Sequence, residues 1–80
     1  MDRVVAVRPE IKALFATVFK YDGEVSLATS RREVPKWDSL QHVALVAAIE
    51  HQFGISLSMD EMIEMRSVGD ICTILDRHGV

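Results

Sequence analysis

The stretch "PKWDSLQHVALVAAIEHQFGI", Pro35 to Ile55, decides the fold. Asp38 and Gln41 stand at the spacing of a D-x-x-Q capping box, which starts a helix. Gly54 suits the left-handed residue that ends one, and Ile55 behind it fits a Schellman closure. Between these signals, at about 100° per residue, Leu45, Val46, Ile49 and Phe53 gather on one side. Leu40, Val43, Ala44 and Ala47 gather on nearly the opposite side. The first set has the larger side chains and is the natural core face. A chain this small cannot surround the second set as well, and an apolar surface stripe marks a place where something docks.

Ser39 stands at the N-terminal edge of this helix. The unpaired N–H groups and the positive dipole end there favour an anion, so a phosphate esterified to Ser39 is electrostatically welcome. The plain alternative is that the serine only caps the helix. Asp38 already supplies that cap, which leaves Ser39 without a structural duty.

Outward from this segment, Ile11, Leu14, Phe15 and Val18 repeat at i, i+3, i+4, i+7 and predict a first helix with one buried face. Pro9 suits its first turn. In "YDG", Gly23 is expected to close it in the left-handed conformation. Extending this helix back through "RVVAV" would put Pro9 in its interior, where proline is disruptive. Residues 22–37 lack periodicity, and Val25, Leu27 and Val34 are the anchors that pin this long loop to a core. Ser58 caps a short third helix in "MDEMIEM". "SVGD", Ser67 to Asp70, reads as a further capping box, followed by the buried stripe Val68, Ile71, Cys72, Leu75 and a stop at Gly79. The expected fold is all-α: residues 1–80 as one domain, an antiparallel four-helix bundle with a short third helix and a long loop between helices 1 and 2.

Eighty residues at 49% hydrophobic and 26% charged are ordinary globular material, near the lower limit for a self-sufficient core. A net charge of −3 argues against nucleic-acid binding. Cys72 is the only cysteine, so no internal disulfide exists and a cytoplasmic setting fits. No apolar run reaches the roughly 18 residues of a membrane span. "MDRVVAVRPE" lacks the long apolar region of a signal peptide.

Other constellations point to no chemistry. Asp38, Ser39 and His42 could suggest a hydrolase triad, but His42 lies about 60° from Ser39 on the helix, near the core stripe, and no oxyanion loop accompanies them. His42 and His51 fall on opposite sides of the helix, and no ligand set at zinc spacing exists. Asp60, Glu61 and Glu64 do not have calcium-loop spacing. Cys72 reads as a small hydrophobe, and Trp37 as a lid closing the loop over the bundle.

"DSL" followed by "xxVxLVxxIExxFGI", with this helix order from about Pro9 to Gly79, resembles the phosphopantetheine attachment motif of acyl carrier proteins. The resemblance implies a carrier, not an enzyme. Ser39 would carry 4′-phosphopantetheine donated by coenzyme A, holding acyl groups as thioesters. Asp38 would cap the helix and help the modifying transferase recognise the site. Leu40, Val43, Ala44, Ala47 and Met62, with Ile63 beside them, would form the partner surface. The partners implied are a phosphopantetheinyl transferase, an acyl-loading ligase or acyltransferase, and downstream condensing or transfer enzymes; the carrier itself would be a monomer. Ala44, Ala47 and Ala48 leave room for cargo to fold back.

The sequence departs from the family pattern in two ways. Trp37 occupies the place where many fatty-acid carriers have glycine. The second helix is also not acidic: it offers Gln41, His42, Glu50, His51 and Gln52, with Arg31, Arg32 and Lys36 before it. Steering by a negative helix should therefore be weak, which favours a specialised, polyketide-like pathway over housekeeping fatty-acid synthesis. An aminoacyl carrier stays open, although "GGxS" is absent, and so does an unmodified helical interaction module.

Overall fold

The computed structural model describes residues 7–80. Four helices follow in order: α1 Pro9–Phe19, α2 Ser39–Phe53, α3 Met59–Glu64 and α4 Val68–Arg77. No strand occurs among the described residues, and a single isolated bridge joins Ser30 to Ser67. The all-α architecture expected from the periodicities is the one observed. Most of "RVVAV" lies outside the described residues, and the first helix begins at Pro9 as its N1 residue.

Helix α1 buries Ile11, Phe15 and Phe19 against α2, which contributes Leu45, Val46 and Ile49. Val68, Ile71, Ile74 and Leu75 of α4 close the core. Leu14, Val18 and Phe53 are half-buried and pack on its edge. An ion pair of 3.0 Å between Arg8 and Asp76 ties the start of α1 to α4. The Arg8 guanidinium also lies 5.8 Å from the Phe53 ring centre.

The long loop is held at both ends. Val25 and Val34 are buried, as expected, and Leu27 is half-buried against the core. Val68 N–H donates to the Thr29 carbonyl and Gly69 N–H to that of Leu27, both at 2.9 Å. A side chain on Gly69 would bring its Cβ within 3.1 Å of the Leu27 carbonyl, so glycine permits the close pairing. Trp37 is 2% exposed. Its ring meets Phe15 edge-on at 5.3 Å and stacks on Phe19 at 5.6 Å, which makes it the lid the sequence suggested.

The helix ends correct three expectations. First, α1 stops at Lys20, which adopts the left-handed conformation itself at φ 54°, and Gly23 does not. A Cβ at Gly23 would come within 2.6 Å of the tip of the Tyr21 ring, whose hydroxyl donates to Glu24 O, so a side chain there would displace that ring. Second, Asp38 accepts from Gln41 N–H at 2.8 Å, but its own N–H goes to the Lys36 carbonyl, so the reciprocal half of that box is absent. Third, Ser67 caps α4 through Asp70 N–H, while the Asp70 carboxylate takes Arg66 N–H in place of Ser67's. The complete capping box is at α3, where Ser58 and Glu61 each accept the other's backbone N–H. Gly54, at φ 66°, ends α2 as expected, and Ile55 N–H reaches back to the Glu50 carbonyl.

Candidate functional site

The first turn of α2 shows why Ser39 stands free. The Asp38 carboxylate takes Gln41 N–H at 2.8 Å and the Asp38 carbonyl takes His42 N–H at 2.8 Å. Of the four orphan donors a helix start leaves, those of Ser39 and Leu40 are left over for an anion. Ser39 is exposed and its hydroxyl has no role in the cap. Ser39 is therefore an exposed hydroxyl with a helix end behind it that favours negative charge.

Beside Ser39 opens a cleft of about 860 Å³. Val43, Met59, Met62, Ile63 and Met65 give it an apolar lining, and Ser30 and His42 are its other polar neighbours. Arg31, Arg32 and Arg66 also line it. The basic cleft wall combines two distant segments, and no motif or periodicity in the sequence singles out Arg66. Its only signal there was its position just before the Ser67 cap.

The apolar stripe of α2 is exposed, as its angular position implied. Leu40 is 78% and Val43 65% exposed, and Ala44 and Ala47 are also on the surface. On α3, Met59 and Ile63 are each 68% exposed. Met62 is half-buried against the core and still lines the cleft. Ala48 is half-buried between the two faces.

His42 joins these parts. Trp37 Nε1–H donates to its Nδ1 at 3.0 Å, and its Nε2 lies 2.8 Å from the Met62 carbonyl. An indole N–H can only donate and a carbonyl can only accept, so the imidazole carries its proton on Nε2. Loop, α2 and α3 are thereby tied through one ring. Both ring nitrogens are engaged away from Ser39, which leaves no general base for a triad and removes the geometric basis of hydrolysis.

Glu61, Glu33 and Cys72 serve structure. Glu61 sits below the ordinary carboxylate range, chiefly because Ser58 N–H bonds to it and secondly because His78 does, at 3.0 Å. Glu33 is lowered likewise by Ser30 N–H. Burial pushes the Cys72 thiol up, with Arg8 opposing and Asp76 assisting, so it is the protonated, half-buried hydrophobe the sequence implied. No cluster of three metal-ligating side chains occurs among the described residues. No helix among them is long and apolar enough to cross a membrane.

Among curated proteins none matches the chain in sequence. Solved structures share its fold, among them these two. A candidate acyl carrier protein from Mycobacterium tuberculosis is 23% identical with a TM-score of 0.74, over 82% of this chain and 89% of that one. The holo acyl carrier protein of Geobacter metallireducens, in solution, is 27% identical with a TM-score of 0.76, over 88% and 85%. The family described as phosphopantetheine attachment site matches residues 9–75. With that match spanning α1 to α4, the chain belongs to the phosphopantetheine attachment-site family of acyl carrier proteins: a carrier and not a catalyst, with covalent 4′-phosphopantetheine as its prosthetic group.

Proposed function

We propose that Ser39 is the attachment residue and that the chain delivers acyl thioesters within a specialised, polyketide-like pathway. The observation that carries the attachment is the exposed Ser39 hydroxyl at a helix start already capped by Asp38. The prosthetic group supplies a terminal thiol that holds cargo as a thioester. The chain's own residues do the rest: Asp38 keeps the helix end ordered, the first-turn N–H groups favour the phosphate's charge, and Leu40, Val43, Ala44, Ala47 and Met62 meet the partner.

A phosphopantetheinyl transferase installs the arm, an acyl ligase or acyltransferase loads it, and condensing or transfer enzymes unload it. The specialised pathway is supported by the three arginines lining the cleft and by an α2 that has no acidic residue in its first turn. The free thiol of Cys72 suits a cytoplasmic setting.

The test is the intact mass of the protein before and after incubation with coenzyme A and a broad-specificity phosphopantetheinyl transferase. One added phosphopantetheine, abolished in Ser39→Ala with the helical circular dichroism unchanged, is expected. No gain from folded, unmodified protein would reject Ser39. The four exposed apolar side chains of α2 and α3 would then favour the second reading, a helical interaction module without a prosthetic group.

A further inference from the structure

The cleft beside Ser39 has an unusual charge for a chain of net −3. Arg31, Arg32 and Arg66 all line it, all three are exposed, and no carboxylate lines it. Among the described residues none of these guanidinium groups enters an ion pair. Apart from the exposed Asp60, the carboxylates on neighbouring segments are engaged within the protein, and Glu33 also feels the charge of Arg32. Asp38 caps α2, Glu33 accepts from Ser30, Glu61 is held by Ser58 and His78, and Glu64 pairs with Arg77 at 3.0 Å. Asp70 accepts the Arg66 backbone N–H, and Asp60 of α3 is exposed. Free donors at this rim are therefore arginines, the side chains best shaped to grip carboxylates in pairs.

Val43, Met59 and Ile63 line the same cleft and are exposed, and Leu40 is exposed nearby in the chain on α2. An apolar centre with a charged border is the anatomy of a protein interface, in which the centre supplies contact energy and the border sets partner choice and approach rate. Nucleic acid would leave those four apolar side chains uncovered, and the chain's net charge opposes it.

Building on the carrier reading above, we propose that the α2–α3 face docks a partner protein whose contact surface is acidic. The partner inserts an apolar side chain over Met62 and Val43 and sets carboxylates against Arg31, Arg32 and Arg66. Enzymes that serve this carrier would accordingly present glutamate and aspartate around the tunnel that receives the arm. A face built for basic partners would need the opposite rim.

The test uses the full ¹⁵N-labelled chain, unmodified and modified at Ser39, titrated with two amphipathic helical peptides. The peptides share one apolar stripe and differ only in having glutamate or lysine flanking it. The glutamate peptide is expected to shift the amide signals of Arg31, Arg32, Val43, Ile63 and Arg66, and to bind about tenfold tighter at low salt. Its advantage should shrink as ionic strength rises. Reversing the three charges in Arg31→Glu, Arg32→Glu and Arg66→Glu together should invert the preference, with circular dichroism and the urea midpoint reporting an intact fold.

Equal or tighter binding of the lysine peptide overturns the proposal, as do shifts confined to another face. Preferential binding to anionic vesicles, or self-association in sedimentation, overturns it in favour of a membrane or a second copy. Peptide preference is read on the unmodified chain too. Failure of the acidic-partner proposal therefore leaves the mass gain at Ser39 untouched, and failure of modification leaves the peptide result readable.

Discussion

Removing the His42 ring nitrogens should be among the costliest changes outside the apolar core. Trp37 is 2% exposed, and its indole N–H has its partner in His42 Nδ1. In His42→Phe the ring survives but the acceptor does not, and water cannot easily reach the orphaned N–H. An unsatisfied buried donor costs about 1–3 kcal/mol, and the lost bond to the Met62 carbonyl adds about 1 kcal/mol. Together these amount to about 3 kcal/mol. At roughly 0.05–0.15 kcal/mol per residue, a domain of this size has about 4–12 kcal/mol in all. Urea unfolding followed by Trp37 fluorescence measures the loss. With m near 1 kcal/mol/M, the midpoint should fall by about 3 M. In a Trp37→Phe background, followed by circular dichroism, no donor remains to be orphaned. His42→Phe should then cost at least about 1 kcal/mol less, a coupling that a double-mutant cycle isolates. A cost under about 0.5 kcal/mol, or no coupling, would show that the indole–imidazole bond is not what holds the lid.

Lys20→Gly should stabilise the protein by up to about 1 kcal/mol, since a side chain in the left-handed region costs about 1–2 kcal/mol and glycine's extra chain entropy returns part of that; thermal unfolding would show it, and a lowered Tm would contradict it. Glu61 links stability to pH. Its carboxyl is depressed in the fold, so its contribution is present above the ordinary value of 4.5 and is lost as pH falls through the lower folded value. Glu61→Gln should therefore be less stable than the wild type at pH 6 and approach it near pH 3, with urea midpoints at the two pH values as the measurement; a gap that widens on acidification would contradict the assignment.

Periodicity and end signals located the helices because they are local: an apolar residue every three or four positions, Pro9 in the first turn of α1, Asp38, Ser58 and Ser67 before the others, and Gly54 after α2. The exposed stripe Leu40, Val43, Ala44, Ala47 was legible for the same reason, since a helix fixes the angles between its side chains. That Ser39 takes no part in the cap was legible because Asp38 stands next to it. Local signals misled where one residue type can serve two purposes. Gly23 has the character of a helix stop, yet it lies against the Tyr21 ring, and the backbone turns left-handed earlier, at Lys20. Asp70 has capping-box spacing, yet Arg66 N–H claims its carboxylate.

By itself, then, the sequence determined the helix order, the buried and exposed faces of α2 and the serine at its entrance, because each follows from spacing along one segment. Tertiary structure alone decided three further features. His42 became a bridge between Trp37 and Met62. Arg66 joined Arg31 and Arg32 at one cleft. Residues 27–30 of the loop paired with the start of α4. Each depends on groups far apart in the chain meeting through hydrogen bonds or shared surface, and no period or cap records which segment a loop will meet.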